Sequence, residues 1–151
     1  MKKSTRYDYN DAMKIIELEK APKNKIGKII KTGDVSPWPH EEATAKTLSL
    51  YGYNVEFIRK SNREREHSAD AYVNGTKCEF KSPTAKHTKT ILKNLKDAKW
   101  QAKFVVLDSR RMKGIPDIAI IRELVVSIAQ VPEIKKIMYI SKTGKLLDIR
   151  L

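Results

Sequence analysis

Apolar residues along this chain repeat with two different periods. From Ala69 to Lys81 the period is two: Ala69, Ala71, Val73, Thr76, Cys78 and Phe80 fall on one side, and Asp70, Tyr72, Lys77, Glu79 and Lys81 on the other. Asn74-Gly75 divides that stretch, and this dipeptide suits the left-handed backbone of a two-residue hairpin turn. The pattern therefore predicts an antiparallel pair in which Val73 faces Thr76, Tyr72 faces Lys77, Ala71 faces Cys78 and Asp70 faces Glu79. Tyr53–Ile58 predicts a strand with Val55 and Phe57 on one side, Phe104–Leu107 a short buried strand, and 136–140 with 146–149 a second hairpin.

Elsewhere the spacing is helical. Residues 7–20 predict a helix with Ala12, Ile15, Ile16 and Glu19 on one side, ending before Pro22. His40–Tyr51 carries Ala45 and Leu48 at helical spacing and stops at Gly52. Residues 88–102 place Ile91, Leu92, Leu95, Ala98 and Ala102 on one face, and 116–130 form a further helix with Pro116 near its first turn. The Lys-, Gly- and Pro-rich stretch 21–39 admits a short strand at Lys28–Lys31. From residue 40 the order is helix, three strands, helix, strand, then a helix and a hairpin. This is an α/β chain with a central mixed sheet flanked by helices. Residues 37–151 are expected to form one domain (motif core 40–108, C-terminal helix and hairpin 116–149), with 1–36 as an N-terminal helix and basic linker packed on it.

Charge changes the picture. Thirty-one Lys and Arg stand against 18 Asp and Glu in 151 residues, a net charge of +13 spread along the whole chain. A folded basic surface for a polyanion is the simplest reading, since each phosphate contact releases condensed counterions. The single cysteine, Cys78, excludes an internal disulfide and a multi-cysteine zinc site. No apolar run approaches the roughly 20 residues of a membrane span. The basic start, Met1–Arg6, is followed by no hydrophobic stretch, which predicts no signal peptide.

The chemistry concentrates on the polar side of the Asn-Gly hairpin. Two carboxylates directly opposed on paired strands repel, and a divalent cation relieves that cost; Mg²⁺ typically takes one or two carboxylates and keeps waters for phosphate. Lys81 follows two residues after Glu79 on the same face, placed to orient a water or to stabilise charge at phosphorus. A solvated, salt-bridged face with Glu79 between Lys77 and Lys81 remains the alternative. Glu41 shares the inward stripe of Ala45 and Leu48, so it is a third candidate acid. The alternative there is a first-turn glutamate favoured by the helix dipole.

Glu41, Asp70 and Glu79-Phe80-Lys81, set on a helix, three strands, a helix and a strand, resemble the PD-(D/E)xK nuclease core. More narrowly, the chain from His40 to Asp108 is similar to the C-terminal tRNase domain of contact-dependent growth inhibition (CdiA) toxins. The matching residues are His40-Glu41, Ala45, Leu48 and Gly52; Ala69-Asp70 and Gly75; Cys78-Glu79-Phe80-Lys81-Ser82-Pro83; Asn94; Gln101-Ala102; and Val105-Val106-Leu107-Asp108. Ala69 stands where the superfamily's name has proline. The resemblance implies a metal-dependent ribonuclease acting on tRNA in the cytoplasm of a bacterial target cell, with a cognate immunity protein as partner. Under it Glu41, Asp70 and Glu79 bind the metal, Mg²⁺ before Mn²⁺ or Zn²⁺, and Lys81 is the catalytic lysine. Gln101, on the helix after the motif strand, is implied to lie near substrate phosphate.

Other residues are weaker candidates. Arg63, Arg65, Lys86, Lys89, Lys93 and Lys96 border the expected cleft as phosphate contacts, and Ser82 joins the substrate-binding set. Tyr72 is a candidate for stacking on a base, whereas Trp38 is expected to pack against the core. His67 and His87 are candidate general acids, His40 a candidate substrate contact, and Cys78 a core residue. A DNA endonuclease with the same chemistry, or a non-catalytic nucleic-acid-binding module, are the alternative functions.

Overall fold

A computed structural model describes residues 5–10, 13–59 and 68–150. In chain order its elements are β1 (Thr5–Asn10), β2 (Met13–Glu17), β3 (Ile29–Ile30), α1 (Pro39–Leu50), β4 (Val55–Phe57), β5 (Ala71–Val73) and β6 (Thr76–Lys81). These are followed by α2 (Thr90–Ala98), β7 (Phe104–Asp108), α3 (Asp117–Ile128), β8 (Lys136–Ile140) and β9 (Leu146–Arg150). The described strands form one mixed sheet ordered β1-β2-β9-β8-β7-β6-β5-β4-β3. The expected order of helix, three strands, helix and strand is present as α1, β4, β5, β6, α2 and β7.

The central strand β7 is buried along its whole length, because helices cover both faces of the sheet. Alternation sorts its residues. Phe104 and Val106 join Ala45 and Leu48 of α1, with Val55, Phe57, Ala71, Val73, Cys78 and Phe80. Val105 and Leu107 join Ile91 and Leu95 of α2 and Ile120, Ile121 and Leu124 of α3. The Asn-Gly hairpin has the expected register, Val73 with Thr76, Tyr72 with Lys77 and Ala71 with Cys78. Asn74 and Gly75 both take positive φ, 48° and 83°, the mirror-image turn that matches the twist of the strands.

The N-terminal helix expected over 7–20 is not there. Its place is taken by β1 and β2, and β2 extends the sheet by pairing with β9, Ile15 beside Ile149 and Ile16 beside Asp148. Ile15 is fully buried against the α2–α3 side of the sheet. The apolar spacing of this segment satisfies a helix, but β9 offers an open row of backbone groups, and a distant pairing overrides a weak local preference. The short strand within 28–31 is present as β3, which lies parallel to β4. Gly27 joins it to the core: its N–H donates to the Ser49 carbonyl at 2.8 Å, and its own carbonyl accepts the Ser49 hydroxyl at 2.6 Å. The α2 helix ends at Ala98, short of the expected residue 102, with Lys99 in its C-cap position.

Strands β6, β7 and β8 run parallel, pairing Lys81 with Leu107 and Asp108 with Ile140. Their carboxyl ends therefore lie along one edge of the sheet, the edge where open α/β sheets bind ligands. The N-terminal half of α1 reaches the same edge, since Thr44 of α1 bonds Asp108 at the end of β7.

Candidate active site

Asp70 occupies the residue before β5, where the hairpin leaves its regular ladder. Its N–H donates to the Cys78 carbonyl at 3.1 Å, and its Oδ2 accepts the N–H of Phe80 at 2.8 Å. Glu79 stands beside it on β6, and both carboxylates are only 4% exposed. The expected meeting of Asp70 and Glu79 is thus realised, though through this local departure rather than through a regular pair. Burial first, and then the Asp70 charge, push the Glu79 carboxyl up from 4.5 to about 8, with Lys81 pulling the other way. Lys81 Nζ lies 3.3 Å from Glu79 Oε2. The other oxygen, Glu79 Oε1, is buried with no hydrogen-bond partner, as is the Ser82 hydroxyl one residue past Lys81.

Glu41 sits in the first turn of α1, and its Oε1 accepts the Trp38 N–H at 3.0 Å. It lines a cleft of about 610 Å³ together with Asp70, Phe57, Ile58, Arg59 and the segment Asp34–Trp38. Glu41 therefore combines the two readings its position allowed: it closes the helix start and it faces the cleft. Among the described residues, no three Asp, Glu, His or Cys side chains gather closely enough to hold a metal ion. Glu41 accordingly does not complete a three-ligand set with Asp70 and Glu79. The two buried acids and the orphaned Glu79 oxygen still suit a divalent cation, which would supply the charge their burial lacks.

His40 lies within electrostatic reach of Asp70, Asp108 and Arg111; burial and then Arg111 lower its pKa, while the two acids raise it. Its ring is nearly parallel to that of Trp38. Trp38 does not pack in the core as expected: 68% of it is exposed. Pro37 and Pro39 on either side hold this segment at the surface entrance of α1.

A second polar cluster was not legible in the sequence. Asp108 is 2% exposed and accepts from the Thr44 hydroxyl at 2.7 Å and from Arg110 Nη2 at 2.7 Å and Nε at 3.0 Å. Arg110 also donates to the Ala43 carbonyl, so the pair ties β7 to α1. Arg111 Nη1 donates to the Ser82 carbonyl at 3.2 Å, which brings an exposed cation to the carboxylate edge. The adjacent arginines two and three residues after a strand-ending aspartate were the available signal.

The remaining candidates scatter. Lys86, His87 and Lys89 are exposed between β6 and α2. Tyr72, on β5, stands between its partners Glu56 of β4 and Lys77 of β6, with its ring exposed. Gln101 is in the turn after α2 rather than on the helix, three residues before Phe104, the partner of Cys78; its Oε1 is buried without a hydrogen-bond partner. Cys78 is fully buried, as expected. His67, Arg63 and Arg65 lie outside the described residues.

Residues 67–146 match the family model described as the contact-dependent growth inhibition CdiA C-terminal domain. A chain from the CdiA-CT/CdiI toxin and immunity complex of Burkholderia pseudomallei has a similar structure, with TM-score 0.56 and 19% identity over 83% of this chain and 97% of that one. At that identity the likeness is one of fold. No curated protein matches the chain in sequence.

Proposed function

Because the chain belongs to the contact-dependent growth inhibition CdiA C-terminal domain family, we propose that it is a toxin domain acting as a metal-dependent endoribonuclease on tRNA. The observation that carries this reading is the pair of buried carboxylates, Asp70 and Glu79, with Lys81 beside them and one Glu79 oxygen unpartnered. A merely structural acid pair would be costly to keep so dry. The net charge of +13 supports a polyanionic substrate. The PD-(D/E)xK likeness of Asp70 and Glu79-Phe80-Lys81 supports the reaction class.

Asp70 and Glu79 would hold the divalent ion, Mg²⁺ by preference with Mn²⁺ or Zn²⁺ as substitutes. When bound, such an ion supplies Lewis-acid assistance to hydrolysis at phosphorus. Phe80 N–H fixes the Asp70 carboxylate, so that acid meets its ligand without reorganising. Lys81 steers Glu79 through the 3.3 Å ion pair, and its other N–H bonds can reach a phosphate oxygen or the attacking water. Arg111, held on Ser82, adds a positive contact for the substrate backbone. In the B. pseudomallei complex the toxin is joined to an immunity protein; a cognate immunity protein is the partner proposed here, and the cytoplasm of a target cell the place of action.

The test incubates pure protein with total tRNA, with Mg²⁺, Mn²⁺ or Zn²⁺ and with EDTA, beside a Lys81→Ala protein. Discrete fragments that require metal and disappear in the variant are expected. Cleavage of duplex DNA with tRNA left intact would assign the DNA endonuclease chemistry instead. Binding of both without cleavage would leave a nucleic-acid-binding module.

A further inference from the structure

Helix α2 leads into β7 through residues 99–103, and α3 leads into β8 through residues 129–135. Both connections end at the amino edge of the parallel strands, opposite the edge reached by Lys81 and Asp108. There the Lys103 carbonyl accepts the N–H groups of Lys135 and Lys136 at 2.8 and 3.1 Å, which fixes the two connections side by side. With the turn of the Asn-Gly hairpin they border a groove of about 220 Å³, lined by Lys103, Lys135 and Lys136 and by Tyr53, Val73 and Phe104.

We propose that this groove is a second contact for the nucleic-acid backbone, separate from the site of cleavage, an inference that rests on the nucleic-acid reading above. Three lysines converge on the groove, and among the described residues no Asp or Glu lines it. All three are exposed, and none joins an ion pair among the described residues. Glu133, the acid within electrostatic reach of Lys135, is paired with Lys99 at 3.5 Å. Lys136 Nζ stands 5.2 Å from the centroid of the Phe104 ring, so its charge is held at the groove rather than spread into solvent. Like charges gathered without counter-charges repel. A polyanion removes that cost and releases counterions as it binds.

Register sets the distance to the acids. Phe104 pairs with Cys78 and Lys136, whereas Leu107 pairs with Lys81 and Tyr139. Three residues separate these rows, about 10 Å at roughly 3.3 Å per residue. A polymer carries phosphates to both ends of that span. Contacts of this kind carry no sequence information and set how the substrate lies on the protein. Lys103, Lys135 and Lys136 are therefore positioning residues, which act on binding and not on the chemical step.

The test uses the Lys81→Ala protein in EDTA, with a labelled tRNA titrated at several KCl concentrations. Adding Lys103→Gln and Lys136→Gln should weaken binding at low salt by about 10-fold or more, and should flatten the slope of log K against log[salt] by about 1.5. Arginine at the same two positions keeps the charge and should restore most of the affinity. Lys46→Gln with Arg122→Gln removes equal charge from exposed positions of α1 and α3 and should change the slope much less. In the active protein the two groove changes should raise KM by a similar factor and leave kcat nearly unchanged. A flattened slope without any cleavage by the active protein would uphold the groove and defeat the nuclease reading. Cleavage with affinity, slope and KM unchanged by the groove changes would uphold the nuclease and overturn the contact, as would an equal loss in the Lys46 and Arg122 control. Unchanged tRNA binding beside weakened binding of polyglutamate would overturn it too, giving the groove to an acidic protein.

Discussion

Replacing Glu79 by glutamine, a neutral side chain of nearly the same shape, should stabilise the metal-free protein above neutral pH. Folding raises the Glu79 carboxyl from 4.5 to about 8, through burial and then through the Asp70 charge. Below about pH 4.5 the group is protonated in both folded and unfolded chains, and its charge costs nothing. Between 4.5 and about 8 the unfolded chain releases this proton while the folded one keeps it, so stability falls as pH rises. Above about 8 the folded protein carries the whole penalty. At about 1.4 kcal/mol per pH unit that penalty is at most roughly 5 kcal/mol. Water entry and small shifts around the site reduce it, and a net gain of about 2 kcal/mol is expected for Glu79→Gln. For a domain of this size that is about 4–8 °C in Tm. The assay is thermal unfolding of both proteins in EDTA at about pH 5 and about pH 8.5. The curves should nearly coincide at the lower pH and separate at the higher one. Adding Mg²⁺ at the higher pH should raise the Tm of the parent protein and leave the variant almost unmoved. A variant no more stable than its parent at about pH 8.5 in EDTA would refute the argument, because the ionised Glu79 would then be an asset to the fold.

Three further outcomes follow from other parts of the molecule. Cys78 is fully buried, and burial raises its thiol well above the ordinary range, so a thiol reagent should modify it only after denaturant is added; rapid labelling of the native protein would contradict that. Gly27→Ala should cost about 3 kcal/mol in denaturant unfolding, since a Cβ there would stand 1.8 Å from the backbone carbonyl oxygen of Tyr53. Asp108→Ala should also cost about 3 kcal/mol, because it leaves the Arg110 guanidinium and the Thr44 hydroxyl without their shared acceptor; Thr44→Val, which removes one bond of that set, should cost about 1 kcal/mol.

What was legible in the sequence is what local rules control. Asn74-Gly75 fixed a turn and the turn fixed the register from Ala71 to Cys78, which set Glu79 and Lys81 on one side of β6 and left Asp70 to reach Glu79 through a local departure from the ladder. Helices α1 and α3 declared themselves by apolar spacing and by prolines at their starts. The N-terminal hairpin was not legible, because the partner of β2 is β9, at the far end of the chain. The same holds for the Asp108 cluster, where Thr44 and Asp108 are 64 residues apart. Trp38 misled for a different reason: its composition says core, and only the helix start between two prolines says surface.

The bond from Phe80 N–H to Asp70 Oδ2 has a consequence for how this domain would lose the activity proposed for it. One carboxylate is both a proposed metal ligand and a rung of the β5–β6 hairpin. Alanine at position 70 removes both roles, so an inactive Asp70→Ala protein conflates a chemical loss with a frayed strand. Asparagine gives up the charge but keeps an oxygen for the Phe80 amide. Among chance mutations that disarm the domain, the amide should leave an intact, soluble, inactive fold, whereas the alanine change should tend toward degradation. Inactive copies that persist in cells would then be enriched in the first kind.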